Sequence, residues 1–314
     1  MSAPRESRHW AAQRERGSFQ LMRLTAWLAR HLGRRALAPL LYLIVTYFFL
    51  FGGPARRAIA QYQRYLAAWS GQPRLNPTRA SLFAQFMAFA DALLDKLDVW
   101  GGRLAVAQVR IDDPAGLRAA MHSGRGQLLV GAHLGNLEVC QALAELGENL
   151  TLNVLVHTKH AEHFNRLLRS AGADRLRLIQ VSELDPASMM QLSERLDRGE
   201  WLAIAGDRVP LHGGRTVCVD FLGHAAPFPQ GPWLLAGLLG CPLNLLSCLK
   251  RDGRYTVLLE RFAERIEWRR GTRDAVIAGW VQRYADHLAA QCLLAPRQWF
   301  NFYPFWKDHD DTSQ

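Results

Sequence analysis

Gln127–Glu138 reads QLLVGAHLGNLE, and its reading sets the architecture of the chain. Leu128, Leu129 and Val130 form a short apolar run that fits a buried strand. Gly131-Ala132 ends the run. Gly135 and Asn136 are turn and helix-start residues, and Leu137, Val139, Ala142 and Leu143 open a helical apolar stripe. His133 therefore stands between the end of a strand and the start of a helix, where α/β proteins commonly place their chemistry.

The same alternation continues on both sides. It predicts strands over 104–111, 127–132, 152–156, 176–179, 201–205, 217–221, 243–249 and 255–259. Helices fall near 115–122, 137–146, 161–170, 187–196, 232–239 and 273–292, and earlier over 61–69 and 81–100. This order predicts an α/β fold: a mixed, largely parallel sheet flanked by helices on both faces, with an N-terminal helical membrane-anchoring region. The expected division is a basic helical region over 1–100, an α/β domain over 101–306 and a polar tail over 307–314.

The N-terminal region is organised by charge. Residues 1–35 carry Arg5, Arg8, Arg14, Arg16, Arg23, Arg30, Arg34 and Arg35, with Leu21, Leu24, Leu28 and Leu32 at helical spacing. That pattern suits an amphipathic helix on an anionic surface, and also a surface helix packed on the domain. Residues 36–53 read ALAPLLYLIVTYFFLFGG, without a charge. The length is near the lower limit for crossing a bilayer. Arg34 and Arg35 before it match Arg56 and Arg57 after it, so charge gives no orientation. Three readings follow: a segment dipping into one leaflet with its flanks on the cytoplasmic face, a full span, or a buried helix.

Of 314 residues, 49% are hydrophobic and ten are tryptophan, enough for a large packed core, and the formal net charge is +10. Such a balance calls for an acidic partner. No nucleic-acid motif is present, which leaves anionic membrane lipid and an acidic carrier protein. The five cysteines, Cys140, Cys218, Cys241, Cys248 and Cys292, form no C-x-x-C pair and are odd in number, as fits reduced thiols. No G-x-S-x-G elbow, Walker lysine or dinucleotide fingerprint occurs. His157, His160 and His163 recur every third residue, but no H-E-x-x-H pattern or local cysteine accompanies them, and no metal is expected.

His133 and Glu138 are the candidate catalytic pair. On a continuous helix, five residues would turn the side chains roughly 140° apart, so they meet only if the chain leaves helical geometry between them. Gly135 permits that break. A carboxylate held against an imidazole orients the ring and stabilises its charged form, as a general base requires. The residues also fit a histidine and a glutamate that never touch.

The H-x4-E spacing within GAHLGNLE resembles the H-x4-D/E motif of the glycerolipid acyltransferase superfamily, and more closely the lipid A late acyltransferase family. The resemblance runs in order from about Trp10 to Trp306. Gly206-Asp207-Arg208 resembles a G-D-x segment after a strand, and Phe221-Leu222-Gly223 an F-F-G. Phe228 to Pro232, Gly240-Cys241-Pro242 and Pro296-x-x-Trp299 resemble the later elements. This implies acyl transfer from a thioester, with acyl carrier protein as donor and a lipid A precursor-like glycolipid as acceptor, at the cytoplasmic face of a bacterial inner membrane. It implies no metal and no cofactor beyond the donor.

Lys159 and Arg166 follow one predicted strand, and Arg208 follows another, as His133 does. They can converge on one positive rim suited to a phosphorylated headgroup or phosphopantetheine. With Asp207 and Asn136 they make the expected substrate-binding set, Arg208 doubling as a candidate for the oxyanion. Two rivals stay open: the same chemistry on a polyketide-like pigment or a lysophospholipid, and a catalytically silent lipid-binding protein on this fold.

Overall fold

The computed structural model describes residues 37–100, 109–122, 124–136, 150–156, 176–180, 185–209 and 215–306. The main sheet has seven strands: β1 (Val109–Asp112), β2 (Leu128–Gly131), β3 (Leu152–Val156), β4 (Leu176–Gln180), β5 (Trp201–Ala205), β8 (Leu243–Arg251) and β9 (Arg254–Ala263). Their spatial order is β1-β9-β8-β2-β5-β3-β4. Strands β8, β2, β5, β3 and β4 pair in parallel, β9 runs antiparallel to β8, and β1 runs parallel to β9. The sheet is mixed and mostly parallel, as the strand–helix alternation predicts.

Alternate residues of β2 enter two different cores, the two-residue period of a strand covered on both faces. Leu128 and Val130 join the larger core with Leu202, Leu243 and Leu245. Leu129 faces the other way, with Trp201, Leu246 and Val257. The helices α2 (Gly53–Ser70), α5 (Pro186–Asp197), α6 (Gly231–Leu239) and α7 (Arg273–Leu294) supply side chains to the larger core, while α4 (Leu117–Ala120) places Leu117 in the smaller one. Asp185 starts α5 by accepting the Ser188 N–H, with Pro186 in the first turn.

The segment expected as a strand over 217–221 is a strand but lies outside the main sheet. It is β6 (Thr216–Phe221), paired antiparallel with β7 (His224–Pro229) in a two-stranded ribbon. Strand β7 is not among the expected strands, and Pro227 and Pro229 argue against one there. An edge position tolerates them, since no ladder N–H is needed on the outer side.

Within the segment read over 36–53, the described residues from Leu37 onward do not form one continuous rod. Helix α1 (Leu37–Phe51) ends at Gly52, and the chain turns 88° into α2. A Cβ at Gly52 would lie 2.4 Å from the Phe48 carbonyl oxygen, so the bend requires glycine there. Arg56 reaches back to the exposed carbonyls of Phe49 and Leu50. Among the described residues no single helix is long and apolar enough to cross a membrane; only the bent pair passes that test of length and composition.

Helix α1 packs on α3 (Arg79–Trp100) through Tyr42 and Phe83 at 5.1 Å between ring centroids and Phe49 and Phe86 at 5.6 Å. Tyr62 and Leu66 of α2 share the larger core with Trp299, Phe305 and Trp306.

Candidate active site

The site arises from strand register. Strands β2 and β5 are adjacent and parallel, with Leu128 opposite Leu202 and Gly131 opposite Ala205. Extending that register two residues past each strand places His133 beside Asp207, separated by the same 74 residues. Gly206 N–H donates to the Gly131 carbonyl at 2.8 Å, which carries the alignment past the strand ends.

The two side chains meet. His133 Nδ1 lies 2.7 Å from Asp207 Oδ1. Asp207 is 2% exposed, while the His133 side chain is 32% exposed. Burial alone would raise the Asp207 pKa, yet the His133 imidazole, the Arg208 guanidinium and the His133 N–H together hold it below the ordinary carboxylate value. Oδ2 accepts two further hydrogen bonds, from His133 N–H at 2.8 Å and Trp299 Nε1 at 3.1 Å. With three donors around it, the carboxylate stays ionised and fixed. The proton of a neutral imidazole then resides on Nδ1, and Nε2 keeps its lone pair. Among the described residues Nε2 has no hydrogen-bond partner. Such a group can take a proton from a hydroxyl, and the buried carboxylate stabilises the imidazolium that results.

The loop after His133 is sewn into its neighbours. Leu134 bridges Trp299 in antiparallel fashion, with Gly135 N–H on the Gln298 carbonyl at 2.8 Å and Phe300 N–H on the His133 carbonyl at 2.8 Å. Asn136 N–H donates to the Cys248 carbonyl at 2.9 Å. The backbone reaches both partners through a positive φ of 75° at Gly135, where a Cβ would stand 1.9 Å from the Cys248 oxygen. Gly135→Ala is expected to abolish activity and to destabilise the protein by more than the roughly 1–2 kcal/mol of a left-handed L-residue, because the clash adds to it. Thermal unfolding and a rate measurement on the same sample check both parts.

The expected site residues fall in different places. Glu138, Lys159 and Arg166 lie outside the described residues, and so does the helix expected over 137–146. Asp207, expected to bind substrate, lies against His133, with its Oδ1 2.7 Å from the imidazole Nδ1. Asn136 is buried, its Nδ2 donating to the Ala92 carbonyl at 3.0 Å and to Tyr255 Oη at 3.4 Å. Arg208 adjoins Asp207 and directs Nη2 toward the Phe300 carbonyl at 3.4 Å. Sequence reasoning missed the Trp299–Asp207 bond. The signal available for Asp207 was its place two residues past a strand end, matching His133.

The chain is similar to known proteins along most of its length. The model of the bacterial lipid A biosynthesis acyltransferase family matches residues 18–308. A phosphatidylinositol mannoside acyltransferase from Mycolicibacterium smegmatis is 25% identical over 268 residues, covering 82% of this chain and 84% of that protein. The crystal structure of the 1-acyl-sn-glycerophosphate (LPA) acyltransferase PlsC from Thermotoga maritima aligns with 80% of this chain and 96% of its own, at 13% identity and a TM-score of 0.34.

Proposed function

The chain belongs to the bacterial lipid A biosynthesis acyltransferase family and is an O-acyltransferase, and from that premise we propose that it moves a fatty acyl group from an acyl-carrier-protein thioester to a hydroxyl of a glycolipid. The observation that carries the mechanism is the 2.7 Å contact between His133 and buried Asp207. In this reading Nε2 removes the proton of the acceptor hydroxyl. The alkoxide oxygen attacks the thioester carbonyl, the tetrahedral intermediate collapses, and the imidazolium returns the proton to the leaving thiolate. One C–O bond forms, one C–S bond breaks, and no acyl-enzyme is needed. Gly135 and Asn136 N–H already serve carbonyls of the fold. The oxyanion is therefore assigned to Arg208.

The acceptor class rests on the family and on the relative that acts on phosphatidylinositol mannoside. Purified protein would be given acyl-carrier-protein thioester with a lipid A precursor, phosphatidylinositol mannoside, a lysophospholipid or a polyketide-like pigment in separate reactions. Mass spectrometry of the products should show the added acyl mass on a glycolipid. Transfer only to the lysophospholipid or the pigment would overturn the acceptor class, and transfer only from a coenzyme A thioester would overturn the carrier.

Work at the cytoplasmic face of the inner membrane completes the reading. Tyr42, Leu43, Tyr47, Leu50 and Phe51 of α1 are exposed, and Arg56 and Arg57 follow directly. An apolar face beside cations fits an interfacial helix on anionic lipid. Deleting residues 1–53 should release the protein from membranes only in part, and raised salt should free the remainder by screening the basic domain. If salt alone washes off the full chain in a sedimentation assay, the apolar anchor is wrong.

A further inference from the structure

We propose that Asp95, Lys250 and Tyr255 are positioning residues, joining α3 to the loop that carries His133. The proposal rests on His133 acting as the base. Asp95 sits near the carboxyl end of α3 and its side chain is 1% exposed. Its Oδ2 accepts from Lys250 Nζ at 2.7 Å and from Tyr255 Oη, which lie on β8 and β9. Tyr255 Oη in turn accepts from Asn136 Nδ2, whose second acceptor is the Ala92 carbonyl, one turn before Asp95 on α3. Asn136 is three residues from His133.

The other side of the loop is tied to the same elements. The Gln298 side chain brackets the Lys250 backbone, accepting from its N–H at 2.9 Å and donating to its carbonyl at 2.6 Å. Gln298 precedes Trp299, the donor to Asp207, and the Trp299 carbonyl accepts from Gln85 Nε2 of α3 at 2.9 Å. Helix α3 therefore grips both strands of chain that hold the base and its carboxylate, at Gln85, Ala92 and Asp95.

An ion pair with its carboxylate buried, as Asp95 is, stabilises a fold inefficiently, because desolvation offsets much of the attraction. Its directional bonds do fix position. Here they fix Asn136, and through the loop they fix the direction of Nε2. Losing the grip would let the loop shift without unfolding the sheet. A displacement of about 1 Å at a reacting group can cost 10²-fold in rate.

The test compares Tyr255→Phe and Asp95→Asn with Glu200→Gln. Glu200 anchors Asn153 and Arg195 at the opposite, amino-terminal end of the parallel strands, away from the loop. Rates are measured well below every melting temperature, alongside the pH dependence of His133 modification by diethylpyrocarbonate, followed by peptide mass spectrometry. Tyr255→Phe keeps the ring and removes one hydroxyl, so it tests the network without a large packing change. Both network variants should lose about tenfold in kcat or more with little change in KM, and the pH profile of His133 modification should move. Glu200→Gln should change neither, even if its melting temperature falls equally. Unchanged kcat and unchanged His133 reactivity in both network variants overturn the proposal, as does an equal loss in Glu200→Gln. A wild-type protein without transfer activity would instead sink the functional reading, and His133 reactivity would still judge this one.

Discussion

His133→Ala is expected to lower kcat by roughly 10²–10⁴-fold while KM stays close to that of the parent, since general-base help is made in the transition state. Asp207→Asn should come close to it. The amide has the shape of the carboxylate but carries no charge for the imidazolium, and its NH2 can hold the ring in the wrong tautomer. The carboxylate accepts from His133 twice and from Trp299 once, so the exchange also disturbs how the ring is aimed. The double variant should be little worse than His133→Ala alone, because the two act as one unit. Steady-state kinetics on the four proteins closes that cycle. Glu138→Gln, run beside them, separates the two carboxylates: the partner of the base is the one whose loss does not multiply with loss of His133. If Asp207→Asn multiplied independently while Glu138→Gln did not, the assignment of Asp207 would fall.

Trp299→Ala should be the most destabilising single change near the site. Trp299 is fully buried, packs against Tyr62 at 4.9 Å and Phe305 at 5.1 Å, and donates to Asp207. Removing a buried tryptophan costs about 3–5 kcal/mol from lost burial and the cavity left behind. That is a large share of the roughly 5–15 kcal/mol that holds a typical domain together. Trp299→Phe keeps most of the ring volume and loses the N–H, leaving the buried carboxylate one donor short at about 1–3 kcal/mol. Denaturant melts of both, with rates at low denaturant, separate packing from the hydrogen bond. Should Phe prove as costly as Ala, the bond to Asp207 matters more than the cavity.

Much of this was legible in the chain. Strands β3 and β5 fall at the boundaries that their apolar runs imply, because a buried parallel strand writes a continuous hydrophobic segment. The place of His133, past the end of β2 and before the turn at Gly135, was legible. Its contact with Asp207 was not, since Asp207 is distant in sequence and only the pairing of β2 with β5 brings it near. Local spacing favoured Glu138, five residues away, and nothing local ranked Asp207 above it. Strand β6 was legible, but its partner β7 was hidden by Pro227 and Pro229. The bend at Gly52 was hidden because apolar composition records burial or lipid contact but not direction. Asp95 carried no signal either: it is one of three acids on an apolar helix, with Asp91 and Asp98, and nothing sets it apart until the strands that hold Lys250 and Tyr255 are placed beside it.

The shared register of β2 and β5 makes the contact between His133 and Asp207 a report on one strand pairing. Neither residue depends on the length of what lies between them, so β3, β4, α5 and their connections can lengthen or shorten while the two strand ends keep their level. The same arrangement couples chemistry to assembly. The chain must close a loop of 74 residues before the ring meets the acid, so activity regained during refolding times the closure of the sheet's centre and not the appearance of helices.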